Sequence, residues 1–174
     1  MAVTINGSAG VTTNSGAVYD GITRGTAVAS TSGTSIDFTG IPSWAKRITV
    51  MFNGVSTNGT SNSLIQIGSG SFTTTGYSGY VMMATTARSA FSTGFMVTAL
   101  QAADSSLSSF VTLVNISGNT WIESGVITDP AGTVINSSQS SGKLVLAGIL
   151  DRVRITTVNG TDTFDAGSIN IMYE

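Results

Sequence analysis

Hydrophobic and polar positions alternate with a period of two along most of this chain. In "RITVMFNG", Ile48, Val50 and Phe52 fall on one face and Arg47, Thr49 and Met51 on the other; in "GSINIMYE", Ile169, Ile171 and Tyr173 oppose Ser168, Asn170 and Met172. Successive side chains of a strand point to opposite faces, so this alternation predicts half-buried β-strands. Similar runs occupy 63–68, 79–83, 94–100, 109–117, 119–128, 142–150 and 151–158. Turn signals separate them: "NG" at Asn53 and Asn159, "NGTSN" from Asn58, "GSGS" from Gly68, "SGN" from Ser117 and "DPAG" from Asp129. About ten short strands at such spacing predict an antiparallel sandwich or barrel. Helical windows are confined to 43–47 and 84–91, too short for more than a single turn.

The stretch "SIDFTGIPSWAKRITVMF" combines these signals. Ile36 and Phe38 close one strand on its inner face, "TGIP" turns the chain, and Pro42 bars Ile41 from helical dihedrals. Trp44 is expected to plug the edge of the core before the Arg47 strand begins, since a tryptophan carries a large apolar area.

Two strands carry apolar residues on both faces. "SFVTLVNI" sets Val111 and Leu113 against Phe110, Val114 and Ile116, and "KLVLAGIL" has no polar face after Lys143. A strand with one face in water alternates cleanly. Only 9% of residues are charged while 41% are hydrophobic, against roughly 25% charged in an ordinary soluble domain. The second face is therefore expected to meet another subunit, with Phe110, Val114 and Ile116 as interface candidates. The alternative is a central strand covered on both sides within one subunit.

With 174 residues the chain suits one domain with a single core. No apolar run reaches the ~18 residues of a membrane helix, and "MAVTINGSAG" lacks the basic and apolar regions of a signal peptide, so synthesis in a cytoplasm without membrane insertion is expected. The net charge is −2, and the basic residues are scattered apart from Lys46/Arg47 and Arg152/Arg154, which argues against nucleic acid as a partner.

There is no cysteine and no histidine, so thiolate and imidazole chemistry, catalytic or metal-binding, is excluded. "SSQSSGKL" lacks the leading glycine of a phosphate-binding loop and places Leu144 where a hydroxyl should meet magnesium. Among the carboxylates, Glu123 sits beside Trp121 in "WIESG", as an acid and a stacking platform of a glycan hydrolase would, but no second carboxylate pairs with it in sequence. Asp162 and Asp165 in "NGTDTFD" offer oxygen ligands for calcium without EF-hand spacing; Asx turns are the simpler expectation. No cofactor is expected.

The blocks "SIDFTGIPSWAKRITVMFNGVSTNGTSNSLIQIG" and "LDRVRITTVNGTDTFDAGSINIMYE", with "STGF" at 92–95 and "SGNTWIESG" at 117–125 between them, resemble the C-terminal module of tailed-bacteriophage tail fibres and related virion surface proteins. The resemblance implies an all-β, jelly-roll-like antiparallel sandwich over 26–174, assembled as a homotrimer that projects from the particle and contacts the host, with no shared catalytic motif. Residues 1–25 would then be an extended arm that docks onto other virion proteins, Val3, Ile5, Val11, Val18, Tyr19 and Ile22 supplying anchors. The expected function is that of a virion structural protein, a trimeric tail fibre or tail-tip module contributing to recognition of a host surface glycan or protein. The alternatives are a capsid decoration protein and, more remotely, a glycan hydrolase. Tyr77, Tyr80, Arg88 and Trp121, between the terminal blocks, are the receptor-binding candidates, within a region spanning Thr73 to Ser92 and the "NGTSN" loop.

Overall fold

A computed structural model describes residues 4–6, 10–12, 18–19, 21–83, 88–131 and 134–174. In chain order its strands are β1 (Thr4–Asn6), β2 (Gly10–Thr12), β3 (Val18–Tyr19), β4 (Thr23–Arg24), β5 (Val28–Ala29), β6 (Ser35–Thr39), β7 (Arg47–Thr57), β8 (Ser63–Ser69), β9 (Ser71–Phe72), β10 (Ser78–Met83), β11 (Arg88–Phe91), β12 (Phe95–Met96), β13 (Leu107–Ser117), β14 (Thr120–Ala131), β15 (Val134–Val145), β16 (Arg152–Thr157) and β17 (Phe164–Tyr173). No helix occurs among the described residues, and every strand pair is antiparallel.

Two sheets enclose one core in a sandwich-like arrangement. The larger runs β11-β10-β15-β14-β13-β7-β17-β4, with β5 also on β17; the smaller runs β12-β8-β16-β6, with β9 on β8. The inward positions predicted from alternation fill the space between them. Ile48, Val50, Phe52, Val111, Leu113, Ile169 and Ile171 from the larger sheet join Ile65, Ile67, Val153 and Ile155 from the smaller in a single buried cluster. Close packing there needs small residues as well as large ones. Gly79 and Gly142 are neighbours across β10 and β15, and the Phe91 ring occupies the space where their side chains would stand; a ring laid over strand glycines restores the apolar cover they lack.

Between Leu107 and Ser109 the register of β13 shifts against β7, and Ser109 takes a φ of 134°, the sole positive φ outside glycine among the described residues. The bulge is held by the Gly54 N–H, which donates to Ser108 Oγ at 3.0 Å. Such a bulge re-aims the strand at the end of the sheet.

Several expectations are corrected. Trp44 does not plug the core: Ala45 takes the buried position after the Pro42 turn, its N–H donating to the Pro42 carbonyl at 3.0 Å, and the preceding indole is left 51% exposed. The run 94–100 holds only a two-residue strand, because Thr98 and Gln101 leave the ladder to hydrogen-bond Ser63. "DPAG" does not end its strand at Asp129: pairing continues through Pro130 and Ala131, while the Asp129 carboxylate accepts from Ser105 Oγ at 2.8 Å and Ser106 N–H at 3.3 Å. In place of one extended arm, β1, β2 and β3 pair with one another, Ile5 opposite Val11 and Val11 opposite Tyr19. Thr23 and Arg24 already belong to the larger sheet, paired with Tyr173 and Met172.

Candidate functional site

The outer face of the larger sheet carries the most distinctive surface of the molecule. Its cross-strand register lines up three rows. The first passes from Asn170 through Met51, Phe110, Val126, Gln139 and Met82 to Arg88, across β17, β7, β13, β14, β15, β10 and β11. The second runs from Arg24 and Met172 through the hydroxyls of Thr49, Thr112, Ser124 and Ser141 to Tyr80. The third sets Val114 and Ile122 between Arg47 and Lys143. Adjacent strands lie about 4.8 Å apart, so neighbours in a row touch or nearly touch.

Apolar side chains on this face stand in solvent within the single chain. Phe110 is 57% exposed and Tyr80 60%, with Met82, Ile116, Ile122, Val126 and Val145 likewise exposed. Monomeric domains rarely leave so many large apolar side chains uncovered on one face of a sheet. The charges are one-sided too: of seven basic residues in the chain, Arg24, Arg47, Arg88 and Lys143 lie in these rows, and none of the nine acidic ones does. Arg47 is held at the border by an ion pair with Glu174. The face is therefore apolar and hydroxyl-bearing at its centre and cationic at its margins.

Phe110, Val114 and Ile116, the interface candidates from sequence, all lie on β13, with Phe110 and Val114 in the rows of this face. Tyr80 and Arg88 are exposed on it as well. Tyr77 and Trp121 are corrected: both are core residues, each 3% exposed, without a face to offer a receptor. Tyr77 packs edge-on against Phe95 at 4.8 Å, and its hydroxyl accepts from Ile67 N–H at 2.9 Å and donates to the Thr73 carbonyl at 3.0 Å. Burial accordingly pushes that phenol well above its ordinary titration range. Within the receptor region, the 58–62 loop leads into β8, whereas Thr73 follows β9 as the chain doubles back on β8, its N–H donating to the Ile67 carbonyl at 3.0 Å. Of the anchor candidates, Ile22 is exposed, Ile5, Val11, Val18 and Tyr19 lie in the separate three-stranded β1-β2-β3 sheet, and Val3 is outside the described residues.

Glu123 and Trp121 do not form a solvent-facing acid and platform. Both point inward from β14, and Glu123 is 2% exposed. Ser140 Oγ–H donates to Glu123 Oε1 at 2.6 Å, and Oε2 has no partner. Burial raises this carboxyl to about 7, the Ser140 hydrogen bond only partly opposing it. Asp162 is engaged by donors, its Oδ2 accepting from Ser61 N–H at 2.9 Å and its Oδ1 from Asn159 Nδ2 at 2.6 Å, so it ties two loops together. Among the described residues no three acidic side chains gather as a metal site.

Comparison with family models, with curated proteins and with solved structures finds no match for this chain.

Proposed function

We propose that the protein is a structural subunit of a tailed-bacteriophage virion, assembling as a homotrimer through the outer face of its larger sheet. The observation that carries this reading is the apolar, carboxylate-free face around Phe110, Val126 and Met82. Obligate interfaces resemble a core cut in half, apolar and depleted of charge at their centre. The distribution of charge favours a cyclic assembly over a two-fold one. In an isologous pair this face would meet itself and set cations against cations, whereas in a ring it meets a different surface of the next subunit.

Strand order supports a jelly roll. Counting β6, β7, β8, β10, β11, β12, the β13–β15 meander and β16 as eight successive strands, the smaller sheet reads 1-8-3-6 and the larger 2-7-4-5, with β17 added beside β7. That order is shared by viral capsid and lectin domains. A fold alone assigns no function; here it joins the resemblance of the terminal blocks to virion surface modules.

In the assembled particle the strands at the N-terminus serve attachment and the free end of the trimer faces the host. Imaging virions that carry an epitope-tagged chain tests the assignment. Tag density on a tail appendage is the expected result. Density over the capsid lattice would make it a decoration protein instead, and a tag found only outside particles would overturn a virion role.

A further inference from the structure

The chain contains four Asn–Gly steps, beginning at Asn6, Asn53, Asn58 and Asn159. Glycine sets no side chain beside its own amide nitrogen, so at such a step that nitrogen can reach the preceding side-chain amide and displace ammonia. In a folded protein two conditions control the reaction. The glycine N–H has to be uncommitted, and the asparagine NH2 has to be free to leave.

At two of the steps both groups are committed. Gly54 N–H donates to Ser108 Oγ at 3.0 Å, and Asn53 Nδ2 donates to Ser168 Oγ at 3.4 Å. Gly160 N–H donates to the Thr157 carbonyl at 3.0 Å, and Asn159 Nδ2 donates to Asp162 Oδ1 at 2.6 Å. Gly7 lies outside the described residues.

The step at Asn58 is built differently. Asn58 is exposed in the loop after β7, and among the described residues neither its Nδ2 nor the Gly59 N–H makes a hydrogen bond. Its Oδ1, by contrast, accepts from Thr163 N–H at 2.8 Å, and its own backbone N–H donates to the Thr163 carbonyl at 2.9 Å. The side-chain carbonyl is thus held against a donor. The Asp162 carboxylate fills the space where a side chain would stand at Gly59. Ser61 N–H and Asn159 Nδ2 fix that carboxylate from other sides, and its remaining lone pairs can accept a proton.

We propose that Asn58–Gly59 is a site of spontaneous succinimide formation, assembled by the loop after β7 and the loop before β17. Asp162 takes the Gly59 N–H proton as that nitrogen attacks Asn58 Cγ. The new N–Cγ bond closes the ring, the Cγ–Nδ2 bond breaks, and Nδ2 departs as ammonia with the proton that Asp162 returns to it. Water then opens either ring carbonyl, leaving aspartate or isoaspartate at position 58. Negative charge gathers on Oδ1 in the tetrahedral intermediate, where the Thr163 N–H already points; a donor in place before the charge develops lowers the barrier, and so does a base within reach. The product sets a second carboxylate beside Asp162, at the tie between the two loops.

Peptide mapping by mass spectrometry reads each step separately in the full-length protein aged in mildly alkaline buffer, with enzymatic methylation marking isoaspartate. In the folded protein Asn58 should convert at least about tenfold faster than Asn53 and Asn159. In denaturant, where only local sequence acts, the three rates should converge. Asp162→Asn removes the base and should slow conversion of Asn58 by about tenfold or more, with Asn53 unchanged as the internal reference. Should that variant fold poorly, the wild-type ranking and its loss in denaturant still decide. Asn53 or Asn159 converting as fast as Asn58 in the folded chain, the same ranking surviving in denaturant, or undiminished conversion of Asn58 in folded Asp162→Asn would overturn the proposal.

Discussion

Glu123 is the residue whose chemistry departs furthest from its surroundings. Its carboxyl is enclosed between two sheets with one oxygen unpartnered, so the neutral acid is the form that the fold favours. Its folded-state value of about 7 stands above the ordinary 4.5. A raised acid stabilises the fold fully below its unfolded value and loses that contribution as pH rises through the folded one. Denaturant unfolding should therefore show stability falling between pH 4.5 and 7, by ~3 kcal/mol for a shift of this size. Glu123→Gln should remove most of that slope. The residual slope belongs to Asp129, which burial also raises and which therefore has the same sign. A wild-type stability that rises over this interval would contradict the buried neutral acid.

At the scale of elements, legibility follows what each strand buries. β7, β16 and β17 were readable because buried aliphatic residues recur two apart, at Ile48 and Val50, Val153 and Ile155, and Ile169 and Ile171, while β8 is buried at six consecutive positions and was readable from its short apolar run. The first half of β15 was not, because its inward Ser138 and Ser140 are buried by bonding Ala99 N–H and Glu123 instead of by apolar contact. Hydroxyls at those positions leave no hydrophobic period to read. The aromatic residues were misread for a related reason: size predicts burial on average, but the Pro42 turn fixes Trp44 outward while a hydrogen-bonded hydroxyl lets Tyr77 enter the core. The two-faced character of β13 was legible in full, and it supports a paired prediction. Val111→Asp places a charge in the core at a cost of several kcal/mol and should unfold the protein. Phe110→Asp, one residue away on the exposed side, should leave circular dichroism unchanged and abolish self-association. If both variants unfold, or neither changes the mass, the division of β13 into a core face and an assembly face is wrong.

For the molecule as a whole, the sandwich leaves its larger outer face unfinished as a single subunit. Exposed Phe110, Val126, Met82 and Tyr80 with a margin of arginine and lysine make a surface poorly suited to water alone. Covering it by copies of the same chain gives the low charge content a purpose. Sedimentation equilibrium of the full-length protein at micromolar concentration is the most direct test. The subunit is 17.7 kDa; the expected result is a single species of three times that mass, and a species at the subunit mass throughout would contradict assembly through the outer face.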